Sequence, residues 1–158
     1  MNYTELITKF YTAFQQRDWL TMQSCYHREI TFYDPAFRQL KGSDVQAMWH
    51  MLCLNAKDFK LTFSNVKANE TQGSCDWQAS YTFSKTGRKV DNVIKANFTF
   101  KDGLILDHKD QFNLWRWSRM ALGLPGMLLG WSPFLRNKVN QNALKSLEKF
   151  KPEHGYQE

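Results

Sequence analysis

Ile30-Thr31-Phe32-Tyr33-Asp34-Pro35 is a short apolar strand that closes on a carboxylate and a proline. Strand alternation places Ile30, Phe32 and Asp34 on one face and Thr31 and Tyr33 on the other. If Ile30 and Phe32 face the core, a carboxyl faces it too. Removing a charge from water is costly, so such a group is paired, protonated or functional. Asp before Pro is also a common turn opener, and that simpler role stays open for Asp34.

Upstream, Asn2 and Glu5 form a capping-box pattern. Tyr3, Leu6, Ile7, Phe10, Ala13 and Phe14 then recur at helical spacing, which predicts a helix to about Gln16. Asp18 is placed to cap a second, shorter helix carrying Trp19, Met22 and Cys25. Downstream, Gly42 ends a loop and Ser43 is read as the cap of a third helix with Val45, Met48, Trp49 and Leu52 on one stripe. The period then changes to two. Phe59, Leu61 and Phe63 alternate with polar residues. So do Cys75, Trp77, Ala79, Tyr81 and Phe83, and then Ala96, Phe98 and Phe100. Asp102-Gly103 reads as a tight hairpin turn into a last strand, Leu104 to about Trp115. Helices followed by antiparallel strands give an α+β class, with the N-terminal helices packed on one face of a curved sheet.

The last strand carries the second chemical signal. Alternation puts Leu104, Leu106, His108, Asp110, Phe112 and Leu114 on one face, so two titratable groups interrupt the more apolar row. A pair spaced two apart can aim at one point. A bulge that turns both to solvent is the competing expectation.

In 158 residues there are twelve Phe, six Trp and six Tyr, more flat apolar surface than one core needs. The net charge is +6. From Lys109 to Lys151 the basic residues are Lys109, Arg116, Arg119, Arg136, Lys138, Lys145, Lys149 and Lys151, against Asp110 and Glu148, so the whole excess sits in the last third. Cys25, Cys53 and Cys75 are odd in number and far apart, which indicates neither a disulfide framework nor a zinc knuckle. The four histidines form no metal-binding spacing, and no glycine loop would cradle a phosphate, so no metal and no cofactor are expected. The first residues lack a basic start and an apolar run, and a cytoplasmic location is the expectation.

Phe10-Tyr11-Thr12-Ala13-Phe14-Gln15-Gln16-Arg17-Asp18-Trp19, the Asp34-Pro35 strand end, the loop to Gly42 before a helix and four alternating strands together resemble the nuclear transport factor 2 superfamily. This group includes ketosteroid isomerases, SnoaL-like polyketide cyclases and limonene epoxide hydrolases. The resemblance spans roughly residues 3 to 115. It implies a cone: a highly curved sheet wrapped around helices, with a pocket inside. The candidate pocket residues are Phe10, Phe14, Phe32, Trp49, Trp77, Tyr81 and Phe98, and an ordinary core role stays open for Trp49, Trp77 and Tyr81. Asp34 matches the general base of the isomerases. Their oxyanion donors fall on Phe10, beside Tyr11, and on Ala96. With each such donor worth about 3–4 kcal/mol, steroid isomerisation by that route is not expected. Lys109-Asp110-Gln111-Phe112-Asn113 resembles the late-strand carboxylate stretch of the cyclases and hydrolases. The resemblance therefore implies Asp34 and Asp110 as acid/base groups acting on a small hydrophobic ligand, and His108, a residue type that ordinarily titrates nearest neutral pH, is the candidate to share the proton. A non-catalytic binding or dimerisation scaffold of the same fold is the alternative, and a homodimer is expected.

Residues 1–115 are thus read as the cone domain. Residues 116–158 carry most of an apolar segment, Leu114 to Trp131, and a basic amphipathic helix opened by Ser132-Pro133, packing on the same domain. Three roles stay open for this extension: a lid on the cone mouth, a dimer or partner surface, and a peripheral contact with anionic lipid. No nucleic-acid recognition motif is present.

Overall fold

The computed structural model describes residues 2–55 and 57–156. Helix α1 (Tyr3–Gln15) opens on the expected capping box between Asn2 and Glu5 and buries Leu6, Ile7, Phe10, Tyr11, Ala13 and Phe14. Helix α2 (Trp19–Ser24) is capped by Asp18, whose carboxylate accepts from the Thr21 N–H at 3.1 Å. Strands β1 (Tyr26–Asp34) and β2 (Arg38–Lys41) precede α3 (Ser43–Asn55). Strands β3 (Lys60–Ala68), β4 (Gln72–Phe83), β5 (Arg88–Lys101) and β6 (Leu104–Gln111) follow. Helices α4 (Leu114–Leu122), α5 (Leu124–Leu129) and α6 (Pro133–Glu153) complete the chain.

The six strands form one curved, unclosed sheet in the order β2-β1-β6-β5-β4-β3. All neighbours are antiparallel except β1 and β6, which run parallel. The β5–β6 hairpin closes through Asp102 and Gly103, both at positive φ (55° and 78°). Two left-handed residues match the strand twist in a two-residue turn, and Asp-Gly adopts that shape at little cost.

Four local readings are corrected. Strand β1 starts at Tyr26, four residues earlier than the apolar run indicated, because an irregularity between Tyr26 and Thr31 breaks the alternation. Arg28 and Glu29 stay exposed while Tyr26 is buried. Strand β2 was not expected. It forms because Asp34 turns the chain back on itself, pairing Asp34 with Arg38. Ser43 is the first residue of α3 rather than its cap. Strand β6 ends at Gln111, not near Trp115, because the Asn113 side chain accepts the Arg116 N–H and starts α4.

The core is built by α1 and α3 against the concave face of the sheet, with Leu147 and Phe150 of α6 joining it. Helix α4 packs on β5, and its Trp117 stands edge-on to Phe83 at 5.3 Å. Val90, Leu114, Trp117, Ala121 and Val139 form a second apolar cluster there.

Candidate functional site

A cavity of about 360 Å³ lies on the concave face of the sheet, walled by α3, α4 and α6. Its lining is mostly apolar and includes Phe14, Trp49, Trp77 and Tyr81. Asp34, Asn92 and Asp110 are among the polar groups that reach it. Phe10, Phe32 and Phe98 do not line it. They pack solidly behind it around the His108 ring, at centroid distances of 5.6, 5.2 and 4.6 Å. These positions were legible as apolar. Which of them border empty space depends on how the sheet curves, which alternation does not encode.

Asp34 both opens a turn and faces the cavity. Its Oδ1 accepts the N–H groups of Ala36 (2.9 Å) and Phe37 (2.6 Å), the geometry of an Asx turn. This leaves Oδ2 with no hydrogen-bond partner among the described residues. Burial pushes the carboxyl up to about 7, and the nearby Asp110 charge adds to the shift. The backbone N–H bonds work against it. Across the cavity wall, Tyr81 Oη accepts the Trp117 Nε1–H at 2.9 Å. Burial raises the Tyr81 phenol and the Asp34 charge adds to that rise, while the Trp117 bond opposes it.

His108 and Asp110 both point inward, with exposures of 0% and 2%. The expected bulge is present in β6, between the Thr99–Asp107 and Phe100–Ile105 pairs, but it does the opposite of releasing these groups to solvent. Leu106 absorbs the extra residue. Ile105 therefore joins the inner face, and Leu104 and Leu106, assigned to that face by strict alternation, lie only partly buried.

The inner end of the site is a continuous hydrogen-bonded chain. Trp49 Nε1–H donates to Tyr26 Oη at 2.8 Å. Tyr26 Oη stands 2.6 Å from His108 Nδ1. His108 Nε2 stands 2.9 Å from Asp110 Oδ1. Trp77 Nε1–H also reaches Asp110 Oδ1, at 3.3 Å. Burial holds the Tyr26 phenol well above its ordinary range, so it keeps its proton. With Trp49 donating to the same oxygen, the Tyr26 O–H has His108 Nδ1 as its acceptor. That assigns the Nε2–H tautomer to His108 and makes Asp110 Oδ1 the acceptor of two donors. Both bonds fall on Oδ1, leaving Asp110 Oδ2 without a hydrogen-bond partner among the described residues.

Tyr26 and Asn92 are the groups that sequence reading missed. Tyr26 lies upstream of the apolar run that starts at Ile30, with the exposed Arg28 between them. Asn92 is buried on β5 opposite Ala79. Its signal was present, since Val90, Asn92, Ile94, Ala96 and Phe98 share one parity, but the strand was read from Lys95 onward. Tyr11, one residue from the Phe10 position, has a buried hydroxyl with no hydrogen-bond partner among the described residues. Burial raises its phenol, and the nearby Asp110 charge adds to the shift.

Solved structures share this architecture at low sequence identity. An LEH-like epoxide hydrolase of M. tuberculosis superposes with a TM-score of 0.62 at 15% identity, covering 79% of this chain and 93% of its own. A hypothetical protein of Catenulispora acidiphila with a ketosteroid isomerase-like fold, in complex with trimethylamine, gives 0.66 at 12% identity, covering 82% and 98%. TerC, co-crystallised with polyporic acid, gives 0.62 at 14% identity, covering 73% and 95%. At these identities the likeness speaks for the fold. No curated protein matches the chain. A sequence model of the SnoaL-like domain matches residues 7–108, from the second turn of α1 to His108 itself, and the chain accordingly belongs to the SnoaL-like domain family, with the fold of the nuclear transport factor 2 group.

Proposed function

We propose that the cavity binds a small apolar molecule bearing a carbonyl or similar polar end, and that Asp110 and Asp34 move a proton on it. The observation that carries this reading is the unequal setting of two carboxyls on one cavity wall. Asp34 is raised to about 7, so near neutral pH a large fraction carries a proton. Asp110 Oδ1 is fixed by the His108 and Trp77 donors, an arrangement suited to a carboxylate. Two carboxyls in different environments can serve as a donor and an acceptor in one reaction.

In this mechanism Asp110 Oδ2 takes a proton from a carbon next to the substrate carbonyl. Asp34 Oδ2–H supports the oxygen on which negative charge develops. His108 does not touch substrate, because both ring nitrogens are engaged and the ring lies outside the cavity lining. Its role is to orient Asp110. In this reading His108 positions Asp110 rather than sharing the substrate proton.

A second reading is favoured by one observation: every side chain of the Trp49–Tyr26–His108–Asp110–Trp77 chain already has a hydrogen-bond partner within it. A cup that binds without turnover would need such a chain only for its shape. One experiment separates the two. Small molecules that co-purify with the protein are identified by mass spectrometry, then incubated with it in deuterated water. Deuterium appearing next to a carbonyl, and lost about 10²–10⁴-fold in Asp110→Asn, supports proton transfer. A tightly bound molecule that exchanges no faster than in buffer leaves the binding cup.

A further inference from the structure

The segment Leu124–Phe134 presents Leu124, Met127, Leu128, Leu129, Trp131 and Phe134 to solvent, with Trp131 and Phe134 at 63% and 74% exposure. A soluble chain rarely leaves so many large apolar side chains together without a use for them. Their outward direction is built in. Helix α5 lies on α4 through Gly126, where an added Cβ would stand 1.9 Å from the Ser118 carbonyl oxygen. Only glycine permits that approach. With Gly126 facing inward, Met127 and Leu128 face out. Trp115 Nε1–H donates to the Met127 carbonyl at 3.1 Å, and Trp131 Nε1–H to that of Leu128 at 2.9 Å, so the platform is pinned rather than collapsed.

Along the chain, the charges flanking it are all of one sign. From Gln111 to Leu147 there is no acidic residue, against Arg116, Arg119, Arg136, Lys138 and Lys145. Arg119 lies over the Trp115 ring at 4.9 Å, and the Arg88 guanidinium packs against Gly123 at the start of α5. Among the described residues none of Arg88, Arg116, Arg119 and Arg136 is in an ion pair.

We propose that this face docks on an anionic lipid surface, with the apolar residues of Leu124–Phe134 entering the headgroup boundary and the arginines facing acidic headgroups. Charge argues against a second copy as the occupant, because a two-fold contact through this patch brings these arginines toward those of the other copy. The docking is peripheral: no helix among the described residues is long and apolar enough to cross a membrane.

The test is vesicle flotation of the full chain. Vesicles of equal parts phosphatidylcholine and phosphatidylglycerol should carry the protein upward, vesicles of phosphatidylcholine alone should not, and added salt should weaken binding. Trp131→Ser with Phe134→Ser should lower binding about tenfold. Arg116→Gln with Arg136→Gln should lower it about fivefold per charge removed. Both variants change exposed residues, and circular dichroism checks that each is folded. Equal binding to neutral vesicles, or unchanged binding by either variant, overturns the proposal. So does absent binding to acidic vesicles together with a concentration-dependent dimer that the Trp131/Phe134 variant dissolves.

Discussion

His108 and Asp110 stand two residues apart on one strand, and the His108 Nε2 reaches Asp110 Oδ1 at 2.9 Å with both groups buried. Neighbours on one strand face normally diverge to meet residues on other strands. Here the next strand offers Ala96 opposite Asp110, too short to intervene, so the imidazole turns along its own strand. The carboxylate is thereby held at the cavity wall by a residue that never enters the cavity.

Replacing His108 by Leu should unfold the network rather than trim it. Tyr26 loses its acceptor and Asp110 loses a donor, and each buried group left unsatisfied costs about 1–3 kcal/mol. Urea denaturation should show a loss of about 2–5 kcal/mol. A loss below about 1 kcal/mol would mean that the chain is not stabilising.

Asp110→Asn keeps an acceptor for His108 and Trp77 at nearly the same place. Its stability should stay within about 2 kcal/mol of the parent, while deuterium exchange into a bound carbonyl compound falls about 10²–10⁴-fold. Full exchange activity in this variant would remove Asp110 from the chemistry.

Asp34 makes stability depend on pH with a defined sign. Its folded-state value of about 7 lies above the ordinary carboxylate range, so the native state holds a proton that the unfolded chain has released. Stability therefore falls as pH rises from about 4 to about 7, by on the order of 2–4 kcal/mol. Asp34→Asn, which preserves the Oδ1 acceptor for Ala36 and Phe37, should abolish that fall. The stability difference between variant and parent should grow across this window, measured by denaturation at several pH values. A constant difference would contradict the assignment.

The three cysteines are buried, and burial pushes Cys53 and Cys75 up to about 12. Native protein should leave its thiols unlabelled by a disulfide reagent at neutral pH, and unfolded protein should label all three. Rapid labelling of the native chain would show that these sites open readily.

The curved α+β fold could be read from the order of periodic segments, because a change from helical to strand period survives any detail of packing. Alternation put Asp34 and Asp110 on inward faces, with a turn role for Asp34 and a bulge turning Asp110 to solvent as the competing expectations. The faces of Leu104, Leu106 and Ile105 could not be read, because a single bulge residue reverses parity and leaves no mark in composition. Tyr26 shares the parity of Ile30 and Phe32 but lies beyond the exposed Arg28, upstream of the apolar run from which the strand is read. The division between cavity lining and solid core, which separates Trp49 and Trp77 from Phe10 and Phe98, is set by sheet curvature and by α4 and α6 closing over it.

The most direct measurement is a carbon-13 NMR titration of the Asp34 carboxyl in the parent and in Asp110→Asn. Two carboxyls sharing an apolar wall require a midpoint near 7 in the parent and a lower one once the neighbouring charge is removed. A parent midpoint near 4, unmoved by the substitution, would place Asp34 in ordinary solvent and contradict the proton-transfer mechanism.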